Sequence, residues 1–144
     1  MQSDDAISML MTMASMQEEH NAQVHPQWKE QGYEYYRAIW VECAEMLDHF
    51  GWKWWKNQEP DIDQVKLELV DIWHFALSEL IRSEQLHESL GAELANVEPI
   101  DSTPEIFREA IESLAISSLQ SRSFKMSDFT YAMRTLPMDL KELF

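Results

Sequence analysis

The sequence predicts an all-α protein, a helical bundle of four main helices followed by short C-terminal helices. Apolar residues recur three and four positions apart along most of the chain, which places them on one face of a helix. Only three glycines and five prolines interrupt 144 residues. Nine methionines also favour a helical core, because methionine forms helices readily and fills irregular gaps. At this length, residues 1–144 are expected to form a single domain.

The first predicted helix spans residues 4 to 22, and Ser3 or Asp4 can cap its start. Gln17 and Asn21 lie four residues apart in its polar last turn, so their amide side chains face the same way. Amides both donate and accept hydrogen bonds, which suits the edge of a nucleobase. A helix that simply ends in solvent is the alternative interpretation.

A connector from Val24 to Gly32 leads into a second helix, predicted from about Glu34 to Phe50. Gly51 follows it and suits the position just past a helix end. Glu42 and Glu45 lie beside its apolar stripe and point the same way, because residues three apart are neighbours on a helix. A solvated edge of an amphipathic helix would give the same pattern.

Residues 52 to 63 show no clean helical period, and Glu59-Pro60 would break a helix there. Within this stretch, the run from Gly51 to Lys56 reads Gly-Trp-Lys-Trp-Trp-Lys. One interpretation is a clamp in which the rings flank a base and the lysines contact phosphate. In the other, the rings complete the core and the lysines stay in solvent. We expect both in part, with one or two rings serving only the core.

A long third helix is predicted from about Ile62 to Ser89. Glu68 and Asp71 share one side of it, and its remaining circumference is so apolar that the helix should be buried nearly all round. A buried carboxylate without a partner costs several kcal/mol. One lysine and one histidine are the only basic residues from Asp61 to Leu80. A divalent metal is therefore the simplest counter-ion, since hard cations prefer carboxylate oxygens.

The fourth helix follows a connector over residues 90 to 101. Ser102-Thr103-Pro104-Glu105 is a strong start, with a hydroxyl cap, proline in the first turn and Glu at the third position. We expect the helix to continue to about Gln120. Beyond a break, the remaining helical patterns are short: Ser127 as a cap, Phe129 to Arg134, and Met138 to Phe144.

Composition excludes several classes of partner. A formal net charge of −15 argues against nucleic-acid binding through the phosphate backbone, which needs a basic surface. The single Cys43 cannot form an internal disulfide and fits a reducing compartment. Without a leader or a long apolar run, the chain is expected to be soluble and cytoplasmic, with no membrane contact.

The third helix has more apolar faces than a lone bundle can cover, so a homodimer is expected.

Three motifs in this chain resemble those of the dimeric, all-α dUTP diphosphatases, which belong to the all-α NTP pyrophosphatase group that includes MazG-like enzymes. The motifs are Trp-Val-Glu-Cys-Ala-Glu at 40–45, Gly-Trp-Lys-Trp-Trp-Lys at 51–56, and Glu-Leu-Val-Asp-Ile-Trp-His-Phe at 68–75. The resemblance runs in order from Met16 to about Ser78, roughly half of the chain, and the combination of motifs is specific.

The resemblance implies hydrolysis of dUTP to dUMP and pyrophosphate with Mg²⁺, two or more ions per site, for which Mn²⁺ can substitute. The positions that correspond to functional residues of the family are the metal-binding acids Glu42, Glu45, Glu68 and Asp71, the uracil-contacting Gln17 and Asn21, the pocket-lining Trp54 and His74, and Lys56 near the phosphates. Among the acids, we expect Glu45 to act as general base, with Glu42 as the second choice.

One departure from the family concerns the C-terminus. The family usually continues beyond the segment that residues 138–144 resemble, into a Lys-Asn-x-x-Asn-x-x-Arg helix and a Gly-Tyr-Lys segment that close over the substrate. We expect this closing segment to be absent, which affects uracil selectivity and turnover but not metal binding. Two alternatives stay open: a MazG-like pyrophosphatase of broader specificity, and a catalytically silent acidic helical dimer that acts as a binding or regulatory module.

Overall fold

Four long helices dominate the computed structural model, which describes residues 1–144. In chain order the helices are α1 (Ser3–Val24), α2 (Tyr35–Phe50), α3 (Ile62–Arg82), α4 (Ser89–Ala95), α5 (Pro104–Ser121), α6 (Met126–Thr135) and α7 (Leu140–Leu143), with a 3-10 turn at Trp28–Glu30 between α1 and α2. The structure contains no β-strand. The predicted fold class is confirmed, since α1, α2, α3 and α5 are the four main helices.

The third helix is shorter than the sequence predicts. It ends at Arg82 rather than Ser89, because Glu84 adopts a left-handed backbone conformation with φ 57°. The N–H of Gln85 then donates to the carbonyl of Leu80 at 2.9 Å, a bond that closes the helix end. The predicted connector after it contains the short helix α4 instead.

Helix caps are predicted with mixed success. Thr103 caps α5 as expected, accepting a hydrogen bond from the N–H of Ile106 at 3.2 Å. The predicted cap at Ser3 or Asp4 is wrong, because α1 already begins at Ser3 and has no side-chain cap. The predicted cap at Ser127 is also wrong, since α6 begins one residue earlier and Ser127 lies inside it.

A single cluster of 29 buried residues forms the hydrophobic core. The α2 helix packs along α3 on one side and α5 on the other, while α1 packs against α3 and α4, and α6 against α5. Trp73 is fully buried at the centre, with its ring stacked on Phe129 at a centroid distance of 5.3 Å. Cys43 is buried as a free thiol. None of the helices combines the length and apolar character needed to span a membrane.

Candidate functional site

The two acid pairs face each other across the seam between α2 and α3. One carboxylate oxygen from each of Glu42, Glu68 and Asp71 lies within 4.8 Å of the other two. Glu45, one turn along α2 from Glu42, lies near both Glu42 and Glu68 and beside this group of three. The i, i+3 spacing on each helix thus brings four carboxyl groups into one group, which we call the acid cluster.

The acid cluster has a buried end and an open end. The Glu68 side chain lies at the buried end, where the residue is 6% exposed, and Glu42 is half-buried. Asp71 and Glu45 are exposed to solvent. The expectation that α3 is buried nearly all round is therefore wrong, because the face that carries Leu67 and Asp71 is open.

Burial and the repulsion between neighbouring carboxyl groups keep a proton on Glu42. Burial, a hydrogen bond with Glu68 and the charges of Glu68 and Glu45 raise the pKa of Glu42 to about 9. The hydrogen bond with Glu42, helped by one from Gln64, lowers the pKa of Glu68 against the effect of its burial. Burial and the Glu68 charge raise the pKa of Asp71. Glu42 thus stays protonated at neutral pH beside an ionised Glu68.

A divalent cation fits this arrangement. The donor set consists entirely of carboxylate oxygens, which hard cations such as Mg²⁺ prefer. Glu42 Oε2 is buried and has no hydrogen-bond partner, so one oxygen is still free to accept a ligand bond. A cation would also replace the proton that the repelling carboxyl groups hold.

A second feature is a cavity of about 570 Å³ that α3 shares with α1 and α2. Its polar wall is a connected network. Gln17 Nε2 donates to Asn21 Oδ1 at 2.9 Å, and His74 Nδ1 lies 2.8 Å from Gln17 Oε1. Asn21 Nδ2 donates to the Ser78 hydroxyl at 2.9 Å. The amide orientations are therefore set before any ligand arrives.

The rest of this cavity is apolar and aromatic, a lining that suits a planar heterocycle. Its apolar lining consists of Met13, Met16, Trp73, Phe75, Leu77, Leu143 and Phe144. Tyr35 and Ser78 also line it. Sequence reasoning missed both residues. Ser78 could have been found because it lies one turn after His74, whereas Tyr35 left no sequence signal.

Trp54 and Lys56 lie elsewhere. They line a separate cavity of about 640 Å³ between the loop after α2 and the start of α5, together with Arg108. The structure therefore does not bring them to Gln17 and Asn21. The rings of this loop do not complete the core either, because Trp54 is 85% exposed and the neighbouring tryptophans are also exposed. The expectation that one or two rings serve only the core is wrong.

Comparison with protein families identifies a match. The protein-family model dUTPase_2, described as dUTPase, matches residues 9–144 of the chain. That span contains the acid cluster, the amide-lined cavity and the tryptophan loop. No curated protein matches the chain.

Proposed function

The chain belongs to the dUTPase family whose model it matches, and we propose that it hydrolyses dUTP to dUMP and pyrophosphate at the acid cluster. The observation that carries the proposal is the convergence of Glu42, Glu68 and Asp71 within 4.8 Å between two helices. The cavity lined by Gln17 and Asn21 supports it, because its polar wall and apolar sides suit a pyrimidine base.

In this proposal, Glu42, Glu45, Glu68 and Asp71 hold Mg²⁺, two or more ions per site, and Mn²⁺ can replace it. The all-oxygen donor set and the free Glu42 Oε2 support that assignment. When bound, such ions neutralise triphosphate charge and make water more acidic. The protein's own part is to present four carboxylates in fixed positions from two packed helices.

Glu45 is the proposed general base. It lies at the open end of the acid cluster, where water reaches it, whereas Glu42 is engaged with Glu68. The carboxylate of Glu45 takes a proton from the attacking water as the new oxygen–phosphorus bond forms. The bond between the α- and β-phosphates breaks in the same displacement, and pyrophosphate leaves.

Recognition of uracil is assigned to the network around Gln17. Gln17 and Asn21 contact the base edge and His74 lines the pocket, in agreement with their shared cavity. Trp54 and Lys56 are also proposed to contact substrate, at the ring and the phosphates. Because they line another cavity, contact with the same nucleotide requires either movement of their loop or a second chain.

A homodimer is part of the proposal. Leu67 on α3 is 57% exposed, and Val70 lies one turn further along the same face. Val41 on α2 and Ile62 at the start of α3 are further exposed apolar side chains. Apolar side chains exposed on adjacent helices favour contact with a second copy, which would cover them.

The test is pyrophosphate release from dUTP, dTTP, dCTP and dATP in the presence of Mg²⁺. We expect dUTP to be hydrolysed preferentially, and Glu45→Gln to reduce kcat by about 10²-fold or more. Glu109→Gln is the matched control, because Glu109 is an exposed acid of α5 with no side-chain partner. Equal turnover of dCTP or dTTP would indicate a broader pyrophosphatase. No turnover, with no effect of Mg²⁺ on the melting temperature, would overturn the proposal.

A further inference from the structure

Glu68 is the most buried carboxylate of the acid cluster, and one of its oxygens already has a partner from the protein. Gln64 Nε2 donates to Glu68 Oε1 at 2.7 Å. His49 Nε2, at the end of α2, lies 3.7 Å from the same oxygen. Rotation of the Glu68 carboxylate would break the Gln64 bond, so this bond holds the carboxylate orientation in part, together with the contact to Glu42.

Gln64 is itself held in place by the backbone around it. It lies four residues before Glu68, so both side chains are on one face of α3, one turn apart. Asp61 Oδ1 accepts a hydrogen bond from the Gln64 N–H at 3.2 Å and thereby caps the helix. The Asp61 N–H donates in turn to the carbonyl of His49 at 3.0 Å. A continuous chain of hydrogen bonds therefore runs from the end of α2, through the start of α3, to Glu68.

The chemistry of the Gln64 side chain matters as much as its position. An amide donates a hydrogen bond without adding positive charge, so it orients a carboxylate without competing with a cation for it. The Lys and Arg residues that form ion pairs do so outside the acid cluster. Gln64 is thus a neutral donor to the most buried acid in a group that no lysine or arginine neutralises.

We propose that Gln64 is a positioning residue of the divalent-cation site, acting by fixing the Glu68 carboxylate through the Nε2–Oε1 hydrogen bond. This inference rests on the proposed function, because it takes the acid cluster to be the cation site. Hydrogen-bond donors behind a ligand carboxylate hold it in the binding orientation, and their loss typically weakens metal binding about 10- to 100-fold. Without the bond, Glu68 has to be ordered when the cation binds.

The experiment is a calorimetric titration of Mg²⁺ into the nucleotide-free protein. Gln64→Met removes the donor while keeping the length of the side chain and a good helix former. We expect its Kd for Mg²⁺ to rise about 10-fold or more over that of the unmodified protein. Gln120→Met on α5 is the matched control, since Gln120 is exposed and makes no side-chain hydrogen bond, and its Kd should not change.

Two further readouts separate positioning from a purely structural role. The Mg²⁺ concentration for half-maximal activity should rise with the Kd, while the rate at saturating Mg²⁺ recovers. Circular dichroism without metal should show the same helicity for Gln64→Met as for the Gln120→Met control, although the melting temperature of Gln64→Met falls because the bond to the buried Glu68 is lost. An unchanged Kd for Gln64→Met would overturn this inference and leave the dUTPase proposal intact. No Mg²⁺ binding by the unmodified protein would overturn the cation site itself, and this inference with it.

Discussion

At the scale of single residues, the proton on Glu42 links stability to pH. In the folded protein without metal its pKa is about 9, above the ordinary value of 4.5 expected in the unfolded chain. Between these values the folded state holds a proton that the unfolded state has lost. The stability that this protonation contributes is therefore complete below pH 4.5 and disappears as the pH rises through about 9.

Glu42→Gln should remove this dependence, because the amide is neutral at every pH. In EDTA, the melting temperature of the unmodified protein should fall more steeply than that of the variant as the pH rises from about 5 to about 9. The variant should also lose the stabilisation by Mg²⁺, which needs the carboxylate. Thermal melts over this pH range measure both effects, with Glu109→Gln as control. Parallel curves for variant and unmodified protein would contradict the assigned role of Glu42.

Sequence reasoning found the residues marked by helical spacing and missed those whose role depends on side-chain hydrogen bonds. The two acid pairs were predicted from their i, i+3 spacing together with the apolar surroundings of Glu68 and Asp71, and the structure brings Glu42, Glu68 and Asp71 together. Ser78 and Gln64 were not found, although Ser78 lies one turn after His74, because their hydrogen-bond partners became known only from the folded packing. The burial of the tryptophans at 52–55 was misjudged, because a loop has no periodicity from which to assign an inner face.

At the scale of elements, Gly91 allows α4 to approach α1 closely. A Cβ atom at this position would lie 2.7 Å from Ile7 Cγ1 and 2.8 Å from Ile7 Cα. The second of these is backbone, which cannot move aside as the end of a side chain can. This close approach requires a residue without a side chain at position 91, in a segment whose sequence predicts only a connector.

Gly91→Ala should therefore destabilise the protein even though alanine favours a helix. The helical preference contributes about 1 kcal/mol in its favour, and overpacking costs typically about 1–3 kcal/mol. We expect a net loss in the free energy of unfolding, measured by urea denaturation. Glu93→Ala on the exposed side of the same helix should change it by less than about 0.5 kcal/mol. A Gly91→Ala protein as stable as this control would show that the two helices can separate without cost.

Local sequence patterns predicted the start of α5 but not the end of α3. Thr103-Pro104 was recognisable as a start, because both residues act within the first turn itself. The end of α3 was not recognisable, since the left-handed residue there is Glu84 rather than glycine or asparagine. Leu86 and Leu90 continue the helical spacing of apolar residues after Arg82, so the sequence pattern is that of one long helix. The existence of the four main helices was predictable from periodicity, whereas the turn that ends α3 and the short helix α4 after it were not.

At the scale of the whole molecule, one hydrophobic core joins the long and the short helices, yet apolar surface remains on α2 and α3. The acid cluster lies at the seam of the same two helices. A second chain packed on this surface would stabilise the contact between α2 and α3, which the hydrophobic core already stabilises from the other side. The apolar faces of α3 in the sequence had predicted such a surface. In the single chain these apolar side chains are exposed to solvent.

Replacing Leu67 with glutamate tests whether a second chain covers this surface. The unmodified protein should show twice the chain mass of 17.0 kDa in light scattering coupled to size exclusion. Leu67→Glu should shift the mass towards one chain, because an interface that buries an unpaired charge loses several kcal/mol. Leu119→Glu, a comparably exposed position on α5, should remain dimeric, and circular dichroism should show equal helicity in all three proteins. A single-chain mass for the unmodified protein would contradict the homodimer, and a dimeric Leu67→Glu variant would place the interface elsewhere.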